Sequence, residues 1–249
     1  MGRVAGYLPR TREAELIGAL VRGDELAARA VCARDVVIDD PILGAVNGQE
    51  GIRRLAHDFE ARFAADDVVI EFLSTVERGD RSAAEFEFQR LRNGRRVSFP
   101  GVIVADIADG LIEASRIYYR RVSIDDTVSY RRFPVLTAQR RGDEMHPTLV
   151  AYIAALARRD TDAVLDLFSP EGSFHLHRGR IELRRLFERM FTVRTDGVVL
   201  EHPNVFSDGR TTCLEFNSIR VHGEPGHAGV AFYEIGDDGL LAAVRPLDE

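Results

Sequence analysis

The sequence has no lysine and no tryptophan, and only two cysteines in 249 residues. Each absence removes a class of chemistry. Without lysine there is no side-chain amine to form an imine with a carbonyl substrate, so Schiff-base catalysis is excluded. Cys32 and Cys213 lie far apart and suggest no disulfide framework. No apolar run approaches the roughly 18 residues that a membrane span requires. The N-terminal MGRVAGYLPRTREAE has no apolar core, so no secretory signal is expected. Positive charge is also in short supply. The 33 basic residues, all arginine, face 40 acidic ones, for a formal net charge of -7. With no basic block, nucleic acid is not an expected partner. What remains is the composition of a soluble globular protein, for which a cytoplasmic location is the simple expectation.

What is present is a repeat. GVIVADIADGLIEASRIYY, from Gly101 to Tyr119, is echoed 128 residues later by GVAFYEIGDDGLLAAVRPLD, from Gly229 to Asp248. At the same offset Asp80 meets Asp208, and EFQRLR from Glu87 meets EFNSIR from Glu215. Gly48 and Arg53-Arg54-Leu55 match Gly179 and Arg184-Arg185-Leu186 at an offset of 131, and Ile17, Ala19, Leu20 and Arg22 match Ile153, Ala155, Leu156 and Arg158 at 136. Four matches in one order, with length changes confined to turns, mark two copies of one module. The hydrophobic period predicts helices over 12–22 and 25–33, a short strand over 36–38, a helix from Gln49 carrying Ile52, Leu55, Phe59 and Phe63, and strands over 68–72, 83–91, 97–107 and 111–119. Asp109-Gly110 predicts a tight hairpin. The second copy repeats the order, beginning with a helix at Pro147. The expected fold class is α+β: two tandem cone-shaped domains over 11–125 and 146–249, each with three helices on a curved antiparallel sheet, joined by a linker over 126–145.

The run VVIDDPILGAVNGQEGIRRLAHDF, from Val36 to Phe59, and the closing hairpin with Ile112 to Tyr119 resemble the SnoaL-like and ketosteroid-isomerase-like cone fold of the nuclear transport factor 2 superfamily. The resemblance covers both copies. It implies a cone lined with apolar residues and acid/base chemistry without an organic cofactor. It also implies an internal pseudo-dimer, because single domains of that family pair sheet to sheet. Further homo-oligomerisation is left open. Carried over residue by residue, the family's general base falls at Asp40. Its oxyanion tyrosine falls at Leu16 and its protonated aspartate at about Ile103, so both donors are missing from the first copy. In the second copy Tyr152 takes the tyrosine position, and the Asp-Pro loop shrinks to Phe174-His175-Leu176-His177.

The candidate residues follow, each with its plainer alternative. Asp40, in an apolar cone, is the first candidate for an acid/base group; before Pro41 it is also an ordinary turn residue. Glu87 is expected either to complete a proton relay or to face solvent beside Arg92 or Arg116. Of Tyr118 and Tyr119, one is expected to face inward by alternation and could orient a substrate oxygen, with Tyr119 taken as a supporting polar group; tyrosine is also simply common in strands. Phe59 and Phe63 are expected to line the substrate pocket of the first copy, and Tyr152, His175, His177 and Glu215 that of the second. His175 and His177, read as alternating on one strand, share a face there, and with His202 or Glu215 they form a weak metal pattern; no metal is expected. The expected function is a bacterial, cofactor-independent isomerase, cyclase or epoxide hydrolase acting on a hydrophobic polyketide-, terpenoid- or steroid-like molecule. The alternative is a non-catalytic ligand-binding or scaffold protein on the same fold.

Overall fold

The computed structural model describes residues 3–5, 10–63, 68–92, 95–119, 133–137, 144–193, 198–220 and 226–247. The chain divides into two compact units, Met1–Arg132 and Phe133–Asp248. Each carries its own apolar core.

In unit 1, α1 (Arg12–Val21) buries Leu16, Ile17 and Leu20, the face read from the sequence. The chain turns at Gly23, and the Asp24 carboxylate accepts from Ala27 N at 3.0 Å to cap α2 (Glu25–Ala30). Strand β2 (Cys32–Asp40) is longer than expected, because its alternation carries Val36, Ile38 and Asp40 inward in turn. A short loop leads to β3 (Gly44–Asn47) and then to α3 (Gly48–Phe63), whose buried stripe is Ile52, Leu55, Ala56, Phe59 and Phe63. Four long strands follow: β4 (Val69–Arg78), β5 (Arg81–Arg92), β6 (Arg95–Ala108) and β7 (Leu111–Tyr119). Asp109 and Gly110 both take positive φ, 50° and 75°, as a two-residue hairpin demands. The meander is antiparallel, but the sheet closes differently from expectation. β2 pairs with β7 in parallel, and an N-terminal strand β1 (Arg3–Ala5), not anticipated, adds in parallel to β4. The strand order is β1-β4-β5-β6-β7-β2-β3.

The interior of unit 1 is aromatic. Phe88 is its hub, with ring centroids 4.8 Å from Phe99, 5.0 Å from Phe86, 5.2 Å from Phe63 and 6.3 Å from Tyr119. Phe59 packs edge-on to Phe63 at 5.6 Å. Gly101 is paired opposite Phe86, and a Cβ there would lie 2.4 Å from the phenyl ring, so only glycine fits.

Unit 2 rebuilds the plan with α4 (Pro147–Arg158), α5 (Thr161–Leu165), β8 (Phe168–Phe174), β9 (His177–Arg178), α6 (Gly179–Val193), β10 (Val198–Ser207), β11 (Thr211–Arg220), β12 (His227–Ile235) and β13 (Leu241–Leu247). The sheet order, β10-β11-β12-β13-β8-β9, matches unit 1 without its N-terminal strand. Pro147 opens α4 and Asp160 caps α5 through Ala163 N. The segment expected as a linker is partly a strap on this unit. Phe133 is buried and its carbonyl accepts from Ala228 N, while Leu136 exchanges two hydrogen bonds with the Asn217 amide. Residues 126–132 and 138–143 of that segment lie outside the described residues. No helix among the described residues is long and apolar enough to cross a membrane.

Because Phe88 touches four other rings, its truncation leaves a cavity that no single neighbour can refill. Phe88→Ala is expected to lower the stability of unit 1 by about 3–5 kcal/mol, measured by denaturant unfolding.

Candidate active site

Asp40 ends β2 with its side chain on the core face and has no exposed surface. A carboxylate so placed needs its hydrogen bonds supplied by the protein. Oδ1 accepts from the backbone N–H groups of Ile42 and Leu43, at 2.9 and 2.8 Å, and so holds the loop that follows Pro41. Oδ2 accepts from the Tyr119 hydroxyl at 2.8 Å. Tyr119 in turn accepts from Arg62 Nη1 at 2.6 Å. Arg62 Nη2 lies 3.9 Å from Asp40 Oδ2 and forms an ion pair with Asp58, one helical turn earlier on α3. The guanidinium sits over the Phe59 ring, 4.6 Å from its centroid. The array Asp40–Tyr119–Arg62–Asp58 thus runs from full burial at Asp40 to 26% side-chain exposure at Asp58.

Burial and the neighbouring Asp40 carboxylate push the Tyr119 phenol well above its ordinary range, against the opposing pull of Arg62. Tyr119 therefore stays protonated at neutral pH. Burial works against the Arg62 charge, but Tyr119, Asp40 and Asp58 outweigh it and lift the guanidinium above its usual value. The array combines an acceptor-only carboxylate, a phenol that keeps its proton and a fixed positive charge.

Several expected residues lie elsewhere. Glu87 is on the face of β5 opposite Phe86 and Phe88 and accepts from Ser98 Oγ at 2.5 Å. Strand alternation therefore keeps it away from Asp40. Its repeat partner Glu215 is buried, but on the face of β11 opposite Leu214 and Phe216, where it accepts from Asn204 Nδ2 at 2.6 Å. Phe59 and Phe63 are packed into the core of unit 1, and Phe59 doubles as the platform for Arg62. Tyr152 lies in the core of unit 2, its ring 5.8 Å from Phe168 and 6.0 Å from Tyr233, with its phenol pushed well up by burial. His175 and His177 do not share a strand face. His175 lies in the two-residue turn between β8 and β9 with φ 51°, and His177 begins the returning strand. No cluster of three or more His, Cys, Asp or Glu able to hold a metal occurs among the described residues.

Three residues were missed. Arg62 and Asp58 resemble an ordinary solvent-facing i,i+4 pair. The usable signal was that Arg62 is three residues from Phe59 and so borders the buried stripe. Glu13, in the first turn of α1, is wholly buried. Its Oε2 accepts from Ser82 Oγ at 2.5 Å, its Oε1 has no hydrogen bond among the described residues, and burial raises its pKa.

The model of the SnoaL-like domain matches residues 14–114 and 149–244. The chain belongs to the SnoaL-like family. Its two SnoaL-like domains correspond to the two units, and the Asp40 array falls largely within the first. Among solved structures, one similar chain is a protein with a ketosteroid isomerase-like fold from Catenulispora acidiphila DSM 44928, in complex with trimethylamine; identity is 17%, coverage is 47% of this chain and 91% of that one, and the TM-score is 0.41. Another is a Mycobacterium tuberculosis protein in complex with estradiol-17beta-hemisuccinate, at 21% identity, with 45% of this chain and 93% of that one covered and a TM-score of 0.36. A comparison with curated proteins gave no match.

The raised phenols set an alkaline limit. Tyr119 and Tyr152 contribute stability that is complete below the unfolded tyrosine value of about 10 and is lost as pH rises through their higher folded values. Ultraviolet titration is expected to show both ionising only together with unfolding, and Tyr119→Phe to remove part of that pH dependence. Glu13 has the same sign at lower pH: its contribution is present below the ordinary carboxylate range and fades as pH rises through its folded value. Glu13→Gln is therefore expected to stabilise the protein at neutral pH relative to acid, in thermal melts across pH.

Proposed function

We propose that the protein is a cofactor-independent acid/base enzyme of the isomerase or cyclase type, working in unit 1 on a hydrophobic small molecule. The SnoaL-like family includes polyketide cyclases and isomerases. The observation that carries the reading is the buried Asp40–Tyr119–Arg62 array, set among aromatic rings and without a full counterpart in the other unit. The fold does not require it. Counted from the helix-opening glycines Gly48 and Gly179, Arg62 corresponds to Val193. In the sheet, Phe174 pairs with His177 as Ile38 pairs with Val46, and only His175 and Leu176 stand where seven residues, from Asp39 to Ala45, stand in unit 1. Asp40 therefore has no equivalent. Burying these charged groups is costly, and a hydrophobic replacement is often neutral or stabilising. Unit 2 keeps the same architecture without that cost, which supports a chemical role for the array in unit 1.

The chemistry follows from the acceptor count. A carboxylate offers about four lone-pair sites. Three are taken, two on Oδ1 and one on Oδ2. The remaining site on Oδ2 removes a proton from the substrate and returns it to another atom of the same molecule, so no co-reactant is consumed. Tyr119, held protonated, keeps the carboxylate oriented and supplies a hydrogen bond at the reacting end. The Asp58 end of the array, being partly exposed, is the side from which substrate approaches.

A second reading is supported by one observation. Phe59, Phe63, Phe88 and Phe99 fill the described interior of unit 1 ring to ring, as expected of a scaffold or ligand-binding protein that performs no reaction.

The two readings separate in a screen of apolar enones, polyketide-like cyclisation precursors and epoxides, read by chromatography with mass detection. The enzyme reading expects a product of unchanged mass but altered retention for an isomerisation or cyclisation. Asp40→Asn, which keeps size and the loop contacts, is expected to lower that rate by about a hundredfold to ten-thousandfold with unchanged melting. Full activity in Asp40→Asn removes Asp40 from the mechanism, and saturable binding with no conversion favours the second reading.

A further inference from the structure

Glu13 takes no part in the Asp40 array, yet it is wholly buried. A carboxylate so placed needs both oxygens satisfied by the protein. Only one is: Oε2 accepts from Ser82 Oγ at 2.5 Å, while Oε1 has no hydrogen bond among the described residues. Ser82 stands on the inner face of β5, in a row with Ala105 of β6 and Ser115 of β7. Unit 2 fills the same row with Thr212, Tyr233 and Val244, and at the repeat position of Glu13 it buries Leu149. The small side chains at Ala105 and Ser115 leave room for an acid where the other unit places a tyrosine ring and aliphatic groups. The acid is therefore an addition to the fold and not a requirement of it.

The turn that carries Glu13 is lightly held. The Thr11 hydroxyl makes no capping bond, and its Oγ1 is buried without a hydrogen bond among the described residues. Arg12 and Glu15 pair with each other on the exposed side. The Glu13–Ser82 bond is thus the one side-chain hydrogen bond that ties this turn to the sheet among the described residues. The charges around it offer an ionised Glu13 no partner. Glu77, opposite Ser82 at the end of β4, disfavours a second negative charge. Arg81 is turned to the other face of β5, and Asp40 on β2 is held within its own array. On α2 and α3, Glu25 pairs with Arg29, Glu50 with Arg53 and Asp58 with Arg62, while Arg54, His57 and Glu60 are exposed.

We propose that Glu13 is a proton-operated latch on the first turn of α1. With its proton it holds the turn against β5; without it the carboxylate moves out to water, the turn opens, and Ser82 on the inner face of the sheet is uncovered. The rest of α1 stays in place through Leu16, Ile17 and Leu20, and a negative charge near a helix N-terminus favours the helix that remains. Burial raises the folded pKa of Glu13 above the ordinary carboxylate value. The latch is therefore fully closed below that ordinary value and loosens as pH rises towards the folded one.

Hydrogen exchange of the full chain, read by mass spectrometry over a pH series and corrected for intrinsic exchange, tests this. In the wild-type protein, opening of the first turn of α1 is expected to grow by up to about tenfold per pH unit between the two values, as release of one proton requires, and then to level off. The first turn of α4, with Leu149 in place of the acid, is the control within the same chain and is expected to show no such rise. Glu13→Gln, which keeps the shape but has no proton to lose, and Glu13→Leu, which copies unit 2, are both expected to abolish the rise. If Glu13→Leu fails to fold in thermal melts, Glu13→Gln carries the test. A wild-type first turn that opens equally at every pH, a rise that survives in Glu13→Gln, or a loss of protection shared by α3 and β5 and so not confined to that turn overturns the proposal.

Discussion

A carboxylate withdrawn entirely from water has to find all of its hydrogen bonds within the protein, and in unit 1 that single requirement ties together elements distant in sequence. Asp40 sits at the end of β2, its backbone donors come from the loop to β3, its phenol from the end of β7, and the guanidinium behind the phenol from the last turn of α3. The parallel pairing of β2 with β7 brings the ends of those strands side by side. The packing of α3 across them sets the fourth member, Arg62, against Phe59 and Tyr119. Electrostatics and core packing are therefore not separable here, since the ring that fills the cone at Phe59 also supports the cation.

The duplication lets the two roles of the fold be compared within one chain. Both units use three helices on a twisted meander, cap their second helix with an aspartate, and open their third with a glycine at positive φ. These shared features answer to backbone geometry and apolar burial. The unshared ones, Asp40, Arg62 and the Pro41–Leu43 loop, answer to neither, because unit 2 folds without them.

Much of this architecture was legible in the residues. The repeat, the helix stripes and the Asp109-Gly110 hairpin follow from periods of 3.6 and 2 and from turn chemistry. β1 was not, because three residues at an edge carry no usable period. The inner face of β5 was readable from Phe86 and Phe88, and that same alternation places Glu87 outside. The histidines misled because a strand period was extended across a turn, where His175 adopts a left-handed backbone. Arg62 and Asp58 were hidden for a general reason: a charged pair one turn apart on a helix has the same spacing whether it faces solvent or the end of a core, and only the third dimension distinguishes the two.

The tight turn at His175–Leu176 carries a consequence for how such a protein diversifies. A strand that ends in two residues of turn has no room to carry a further side chain inward, whereas the longer excursion through Pro41 gives β2 one more inward position, and that position holds the acid. Hairpin length thus decides how many inward positions this strand offers. Lengthening or shortening one connection by a few residues adds or removes an inward side chain, while the helices and the sheet around it are left as they were.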